Sequence, residues 1–190
     1  MQEIEFKFQV PVKKRKALQK AFTLLKAEPI HLAAQYFDTA DQTLAKHCIA
    51  IRRRQENDEW KQTFKAVDTA KVLSRMELEF DIAPPETTTL DLDNYKKDYS
   101  AIYKKLKRAL GLPLPTLELL FETNIQRLRV LQDVGSSTVE IALDIGKIFK
   151  EQNSVDIFEI EFELKQGSIE DLIAFIQPWI QKYQLNLDTH

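Results

Sequence analysis

The sequence predicts an α+β protein that is mainly β, built as an antiparallel sheet of eight strands closed or nearly closed into a barrel with helices packed outside. Three observations carry this. Short segments alternate charged and apolar residues at a period of two, beginning with Glu3-Ile4-Glu5-Phe6-Lys7-Phe8 and ending with Glu159-Ile160-Glu161-Phe162-Glu163-Leu164-Lys165, the pattern of a strand with one polar and one apolar face. Polar turn residues separate most of these segments, which favours antiparallel succession. Three stretches have helical periodicity instead and supply cover for the apolar faces.

The elements follow in order. After the first strand, Val12 to Lys26 places Leu18, Phe22 and Leu25 on one side with lysines opposite, an amphipathic helix. Strands are predicted at Ala34–Phe37 and Ile49–Arg54, with a short turn at Asp41–His47 between them. The polar run Glu56-Asn57-Asp58-Glu59 reads as a hairpin turn into a strand at Trp60–Ala66. Ser74–Ile82 alternates again and is closed by Pro84-Pro85. Leu92, Tyr95, Tyr99, Ile102, Leu106 and Leu110 trace a second helix, stopped by Gly111. Strands at Leu119–Leu131, Thr138–Ile148 and Val155–Lys165 follow, the first two joined through Gly135-Ser136-Ser137. Ser168 and Asp171 form an N-terminal cap for a last helix, Ile169 to Tyr183, which contains Pro178.

Composition narrows the function. With 190 residues the chain fits one domain with a real core. The net charge of -2 within a charged fraction of 29% is spread along the chain, which argues against nucleic-acid or membrane partners recruited by bulk charge. Cys48 is the only cysteine, so no internal disulfide forms, and it is expected to be a small buried apolar residue. No apolar run is long enough to span a bilayer. A soluble cytoplasmic protein is expected.

The polar phase of the strands collects Glu3, Glu5 and Lys7; Arg52 and Arg54; Lys61, Thr63 and Lys65; Arg75, Glu77 and Glu79; Arg127 and Arg129; Glu140 and Asp144; and Glu159, Glu161, Glu163 and Lys165. Two readings are open: a solvated face of an amphipathic sheet, or the inward face of a hydrated tunnel. The second suits a polyanion held with divalent metal, because arginine and lysine donate to phosphate oxygens and carboxylates hold hard cations. His31, His47 and His190 are isolated, so zinc is not indicated. There is no Gly-rich phosphate loop.

In chain order stand Glu3-x-Glu5-x-Lys7, Tyr36-Phe37-Asp38-Thr39, Ile51-Arg52-x-Arg54, Thr63-Phe64-Lys65, Arg75-x-Glu77, Thr123 with Arg127, Glu140-Ile141-Ala142-Leu143-Asp144-x-Gly146 and Glu159-x-Glu161-x-Glu163. With this ordered set the chain resembles the CYTH superfamily, or triphosphate tunnel metalloenzymes, and within it bacterial inorganic triphosphatases. The resemblance implies an eight-stranded antiparallel tunnel, and an enzyme that cleaves tripolyphosphate to pyrophosphate and phosphate with Mg2+ or Mn2+. On this analogy Glu3, Glu5, Glu77, Asp144, Glu159, Glu161 and Glu163 are metal ligands. Lys7, Arg52, Arg54, Lys65, Arg75 and Arg127, joined by Arg129 from the same polar phase, hold the triphosphate, and Glu5, Lys65 and Arg52 act in catalysis. The substrate is then a small-molecule triphosphate, without nucleic acid or membrane, and the protein a monomer or homodimer.

Family members often continue with a Ser-Lys and Arg-Gly-Tyr segment, whereas this chain stops at Leu187-Asp188-Thr189-His190. The expectation is therefore a single domain over 1–190 without that C-terminal segment. Three alternatives stand beside the triphosphatase: a class IV adenylyl cyclase, a thiamine-triphosphatase, and a polyphosphate- or nucleotide-binding module without turnover. The thiamine-triphosphatases tend to carry a tryptophan where this chain has Ala50.

Overall fold

The computed structural model describes residues 4–67, 75–90, 92, 95–96 and 99–188. The strands are β1 (Glu5–Gln9), β2 (Glu28–Asp38), β3 (Ile49–Glu56), β4 (Glu59–Val67), β5 (Arg75–Ile82), β6 (Thr89–Leu90), β7 (Leu117–Val134), β8 (Ser137–Lys150), β9 (Asn153–Gln166) and β10 (Asn186–Leu187). The helices are α1 (Arg15–Leu24), entered through a 3-10 turn at Val12–Lys14, α2 (Thr43–Lys46), α3 (Ser100–Leu110) and α4 (Ile169–Tyr183).

Pairing gives the strand order β10-β1-β9-β8-β7-β2-β3-β4-β5, with β6 on β7. The mainly β, antiparallel class is as predicted, but closure into a barrel by strand pairing is not found among the described residues. The outer edge of β1 is paired with the two-residue β10, Phe8 opposite Leu187 and Gln9 opposite Asn186. Both β6 and β10 are too short to leave a periodic signal in the sequence.

The chain divides into two compact units. Unit 1 comprises Met1–Leu32, Asn124–Ile148 and Val155–His190, and unit 2 comprises Ala33–Thr123 and Phe149–Ser154. Each unit has its own core. In unit 1 the apolar phases of β1, β8 and β9 (Phe8, Ile141, Leu143, Ile160, Phe162) are covered by Leu18 and Phe22 of α1 and by Leu172 and Ile176 of α4. Phe162 meets Phe8, Phe175 and Trp179 edge to face at 5.7–6.2 Å between centroids. In unit 2, Ile51 and Phe64 pack with Tyr95 and with Ile102 and Leu106 of α3. The helices therefore cover the apolar strand faces, as the periodicity requires.

Two local devices fix the helices. Ser168 caps α4 by accepting from the Asp171 backbone N–H at 3.2 Å. Asp38, inside the Tyr36-Phe37-Asp38-Thr39 stretch, is a buried carboxylate that accepts from the backbone N–H groups of Thr39, Leu44 and Ala45 at 2.7, 2.9 and 3.0 Å. That part of the motif is structural: it holds α2 to the end of β2. Cys48, which follows α2, is exposed with φ 55°, contrary to expectation; the left-handed turn directs it outward while Ile49 enters the core.

The unit 2 core buries the Tyr95 phenol. Burial pushes the Tyr95 phenol up to about 12 from 10.0, and Gln62 Nε2 donates to its oxygen at 2.9 Å. An unfolded chain ionises this tyrosine near pH 10 while the folded chain keeps it protonated, so stability falls as pH rises between those values. The expected loss is about 2–3 kcal/mol by pH 12. Urea unfolding across this range should show a limb steeper by one proton than that of Tyr95→Phe; equal slopes would refute the assignment.

Candidate functional site

Four neighbouring strands of unit 1 each contribute one charge to a continuous row. β1 and β9 pair with Glu5 opposite Glu163, Lys7 opposite Glu161 and Gln9 opposite Glu159. Lys7 Nζ lies 2.7 Å from Glu161 Oε1 and 3.5 Å from Glu159 Oε2. From β7, Arg127 donates through Nε and Nη2 to both oxygens of Asp144 on β8, each at 2.7 Å, and through Nη2 to Glu161 Oε2 at 2.6 Å. Glu161 thus gives one oxygen to an ammonium and the other to a guanidinium. Asp144 and Glu161 are buried despite their charge, which two-point arginine geometry sustains.

The electrostatics follow from this pairing. Burial disfavours the charged forms of Lys7 and Arg127, yet their carboxylate partners outweigh it, and both stand above their ordinary values. Burial likewise opposes ionisation of Glu161, but Arg127 and Lys7 hold it below the usual carboxylate range. Further along the same face, Lys165 Nζ contacts Glu163 Oε1 at 2.9 Å, and Arg129 Nε lies 4.0 Å from Glu140 Oε2. Burial raises Glu140, and Lys165 and Arg129 only partly offset it.

Unit 2 holds a second charged face on β3, β4 and β5. Arg52 pairs with Thr63 across β3 and β4, Lys65 faces Glu77 across β4 and β5, and Thr63 faces Glu79. Arg54 Nη2 lies 3.4 Å from both Glu56 and Glu79, Lys61 Nζ 3.6 Å from Glu79, and Lys65 Nζ 3.2 Å from Glu77. Arg52 is different in having hydroxyl partners: Nε donates to Thr63 Oγ1 at 3.3 Å and Nη1 to the Tyr36 phenol at 3.4 Å. Tyr36 is itself stacked on Phe121 at 4.4 Å. Burial works against the Arg52 charge, but Tyr36, Glu79 and Glu77 raise it above the ordinary arginine value.

The predicted residues are therefore found in two groups. Unit 1 places Lys7, Arg127, Asp144 and Glu161 in direct contact, with Glu5, Glu159 and Glu163 on the paired strands β1 and β9. Unit 2 carries Arg52, Arg54, Lys65 and Glu77. Glu3 and the Arg75 side chain lie outside the described residues. Among the described residues no three His, Cys, Asp or Glu side chains converge as a ready metal cage. Sequence reading missed the role of Tyr36 as an Arg52 partner, for which the Tyr36-Phe37 pair gave no polar-phase signal.

Residues 1–189 match the CYTH domain, and the chain belongs to that family. It is 34% identical over 185 residues to the inorganic triphosphatase of Haemophilus influenzae, covering 93% of this chain and 49% of the relative, so it spans about half the length of that curated relative. Among solved structures, a candidate adenylate cyclase of Bacillus halodurans superposes with a TM-score of 0.65 at 20% identity, over 99% of this chain and 92% of that one. A candidate adenylyl cyclase of Hippeastrum with a dominant triphosphatase activity gives 0.63 at 17%, over 99% and 91%. These two likenesses establish the fold.

Proposed function

We propose that this chain hydrolyses inorganic triphosphate to pyrophosphate and phosphate with Mg2+ or Mn2+, in the cytoplasm. The observation that carries this reading is the 34% identity to an inorganic triphosphatase across 93% of the chain. The charged faces support it chemically. Lys7, Arg127, Arg52, Arg54 and Lys65 are the phosphate-binding candidates. Among the described residues Arg52 makes two long hydrogen bonds, both to hydroxyls, which phosphate oxygens can replace.

The carboxylates fit a hard divalent ion. Mg2+ needs only one or two carboxylates, completing its shell with water and substrate oxygens, so the lack of a three-ligand cage does not count against it. Glu5 and Glu163 face each other in register, and Lys165 already contacts Glu163 at 2.9 Å, so a divalent ion held here would share Glu163 with that ammonium. The ion would neutralise phosphate oxygens. Glu5 orients a water in line with the terminal phosphorus and accepts its proton as the water oxygen bonds to phosphorus and the bond to pyrophosphate breaks. On the charged face of unit 2, Arg52 and Lys65 are the candidates for binding phosphate oxygens and carrying developing charge.

Phosphate release should be compared across tripolyphosphate, ATP and thiamine triphosphate. The expected result is fastest release from tripolyphosphate, dependent on Mg2+ or Mn2+, with kcat falling about 100-fold or more in Glu5→Gln. Equal release without metal would sink the mechanism. Cyclic AMP made from ATP without orthophosphate would replace it by a cyclase.

A further inference from the structure

From Val10 to Ala27 the chain carries six cations, Lys13, Lys14, Arg15, Lys16, Lys20 and Lys26, and no Asp or Glu. Overall it has 27 cations against 29 acids, so the chain outside this segment is net acidic. The segment folds as the 3-10 turn and α1 of unit 1, with Leu18 and Phe22 buried in its core. Lys16, Lys20 and Leu24 follow at four-residue spacing and so form one line along the outward side of the helix. All three are exposed, Leu24 by 75%.

Arg15 is used inside the fold: its guanidinium lies over the Phe158 ring at 4.8 Å, and Nε donates to the Val10 carbonyl at 3.3 Å. The outward lysines are not. Among the described residues the Lys16 and Lys20 side chains have no hydrogen bond or ion pair, and the Lys182 ammonium approaches only the Tyr183 ring, 5.1 Å from its centre. A positive surface that the fold leaves uncompensated attracts acidic partners and repels basic ones.

The line of lysines leads to an apolar groove of about 410 Å3 between α1 and α4. Leu24 and Leu25 at the end of α1 form one wall, Pro178, Trp179 and Tyr183 form the other, and Lys182 is its charged lining residue. Trp179 is half-buried and held edge to face on Phe22 and Phe162, at 6.3 and 5.7 Å between centroids. It is therefore a rigid aromatic anchor of the kind that dominates protein interfaces. The acids of α4, Glu170 and Asp171, stand in its first turn, at the far end from the groove.

We propose that this groove docks an acidic amphipathic helix of a partner protein. The partner's apolar stripe, repeating every three to four residues, seats on Leu24 and Trp179. Its carboxylates meet Lys16 and Lys20 on one side and Lys182 on the other. The concave apolar floor selects a helix over a bilayer, which takes up a continuous outward apolar face. It also selects a helix over a nucleic acid, whose phosphates would use the lysines and leave the groove empty. Docking here goes beyond triphosphate hydrolysis and does not depend on it, since none of the residues placed in that reaction lines the groove.

The test is fluorescence anisotropy of a labelled synthetic peptide of about 15 residues, glutamates with leucines at helical spacing, titrated with the full chain. The peptide should bind about tenfold or more tightly than a scrambled peptide of the same composition. Leu24→Glu, Lys182→Glu and the pair Lys16→Glu/Lys20→Glu should each weaken it about tenfold, whereas Lys107→Glu on α3 should have no effect. The altered side chains are exposed, so Tm should stay within about 2 °C of the native value. In Trp60→Phe, where Trp179 is the remaining tryptophan, binding should shift the emission to the blue. No binding up to about 1 mM, equal binding of the scrambled peptide, or unchanged affinity in Leu24→Glu would each overturn the proposal. So would tighter binding, through the same side chains, to phosphatidylserine vesicles, to single-stranded DNA or to a second copy of the chain.

Discussion

Arg127→Ala is expected to cost about 3–5 kcal/mol of stability, because it strands two buried carboxylates instead of removing a matched pair. Asp144 loses both of its 2.7 Å hydrogen bonds and Glu161 loses the one at 2.6 Å. Their side chains are only 4% and 11% exposed, so water cannot restore what the guanidinium supplied. Lysine at this position keeps the charge but cannot reach both oxygens of Asp144 and a third on Glu161 with a planar fork, so Arg127→Lys should recover only part of the loss.

The pH dependence separates this account from a simple packing defect. In the native chain Glu161 is held below its unfolded value, so its contribution is present above the ordinary carboxylate range and is lost as pH falls through the lower folded value. Without Arg127, Glu161 loses the guanidinium that holds it ionised in a desolvated site, and its protonation relieves the strain. The stability difference between the two proteins should therefore shrink as pH drops into the carboxylate range. Urea unfolding at neutral pH and near pH 4.5 would show this; a constant difference would point to lost packing alone.

The face on which each charge lies was legible from alternation, but its partner was not. Period two puts Glu161 and Asp144 on the polar phase and the resemblance makes them metal-ligand candidates, but nothing in that phase shows which cation lies opposite. Only register pairs Lys7 with Glu161, and only the side-chain reach of Arg127 across to β8 and β9 claims the remaining oxygens. The hairpin at Glu56–Glu59 was legible because polar residues interrupt an alternating run. The first half of β2 was not: Glu28-Pro29 opens it with poor strand formers, and the alternation shows only near Tyr36-Phe37.

Gly146→Ala is expected to cost about 3 kcal/mol or more, for a reason that lies between strands and not in φ. A Cβ at Gly146 would collide with the backbone carbonyl oxygen of Asn124 and crowd the Cα of Ile125 at 2.8 Å on β7. Backbone atoms in a paired strand cannot swing aside as a side-chain tip can, so β7 and β8 must part locally. Asp144 lies two residues before this point on β8, and Arg127 three residues beyond Asn124 on β7. Parting the strands therefore lengthens the fork between them. The double variant Gly146→Ala/Arg127→Ala should then be clearly less destabilised than the sum of the two single variants, since each spoils the same contact. Gly111→Ala is the contrast in cause: with φ 78° and ψ −164° it occupies a region essentially reserved to glycine, so it should lose on the order of 1–3 kcal/mol from backbone strain alone, with no atom within 4 Å of the new Cβ, and its loss should add to that of Arg127→Ala. Strict additivity of Gly146→Ala with Arg127→Ala would show that close approach of these two strands does not set the position of the fork.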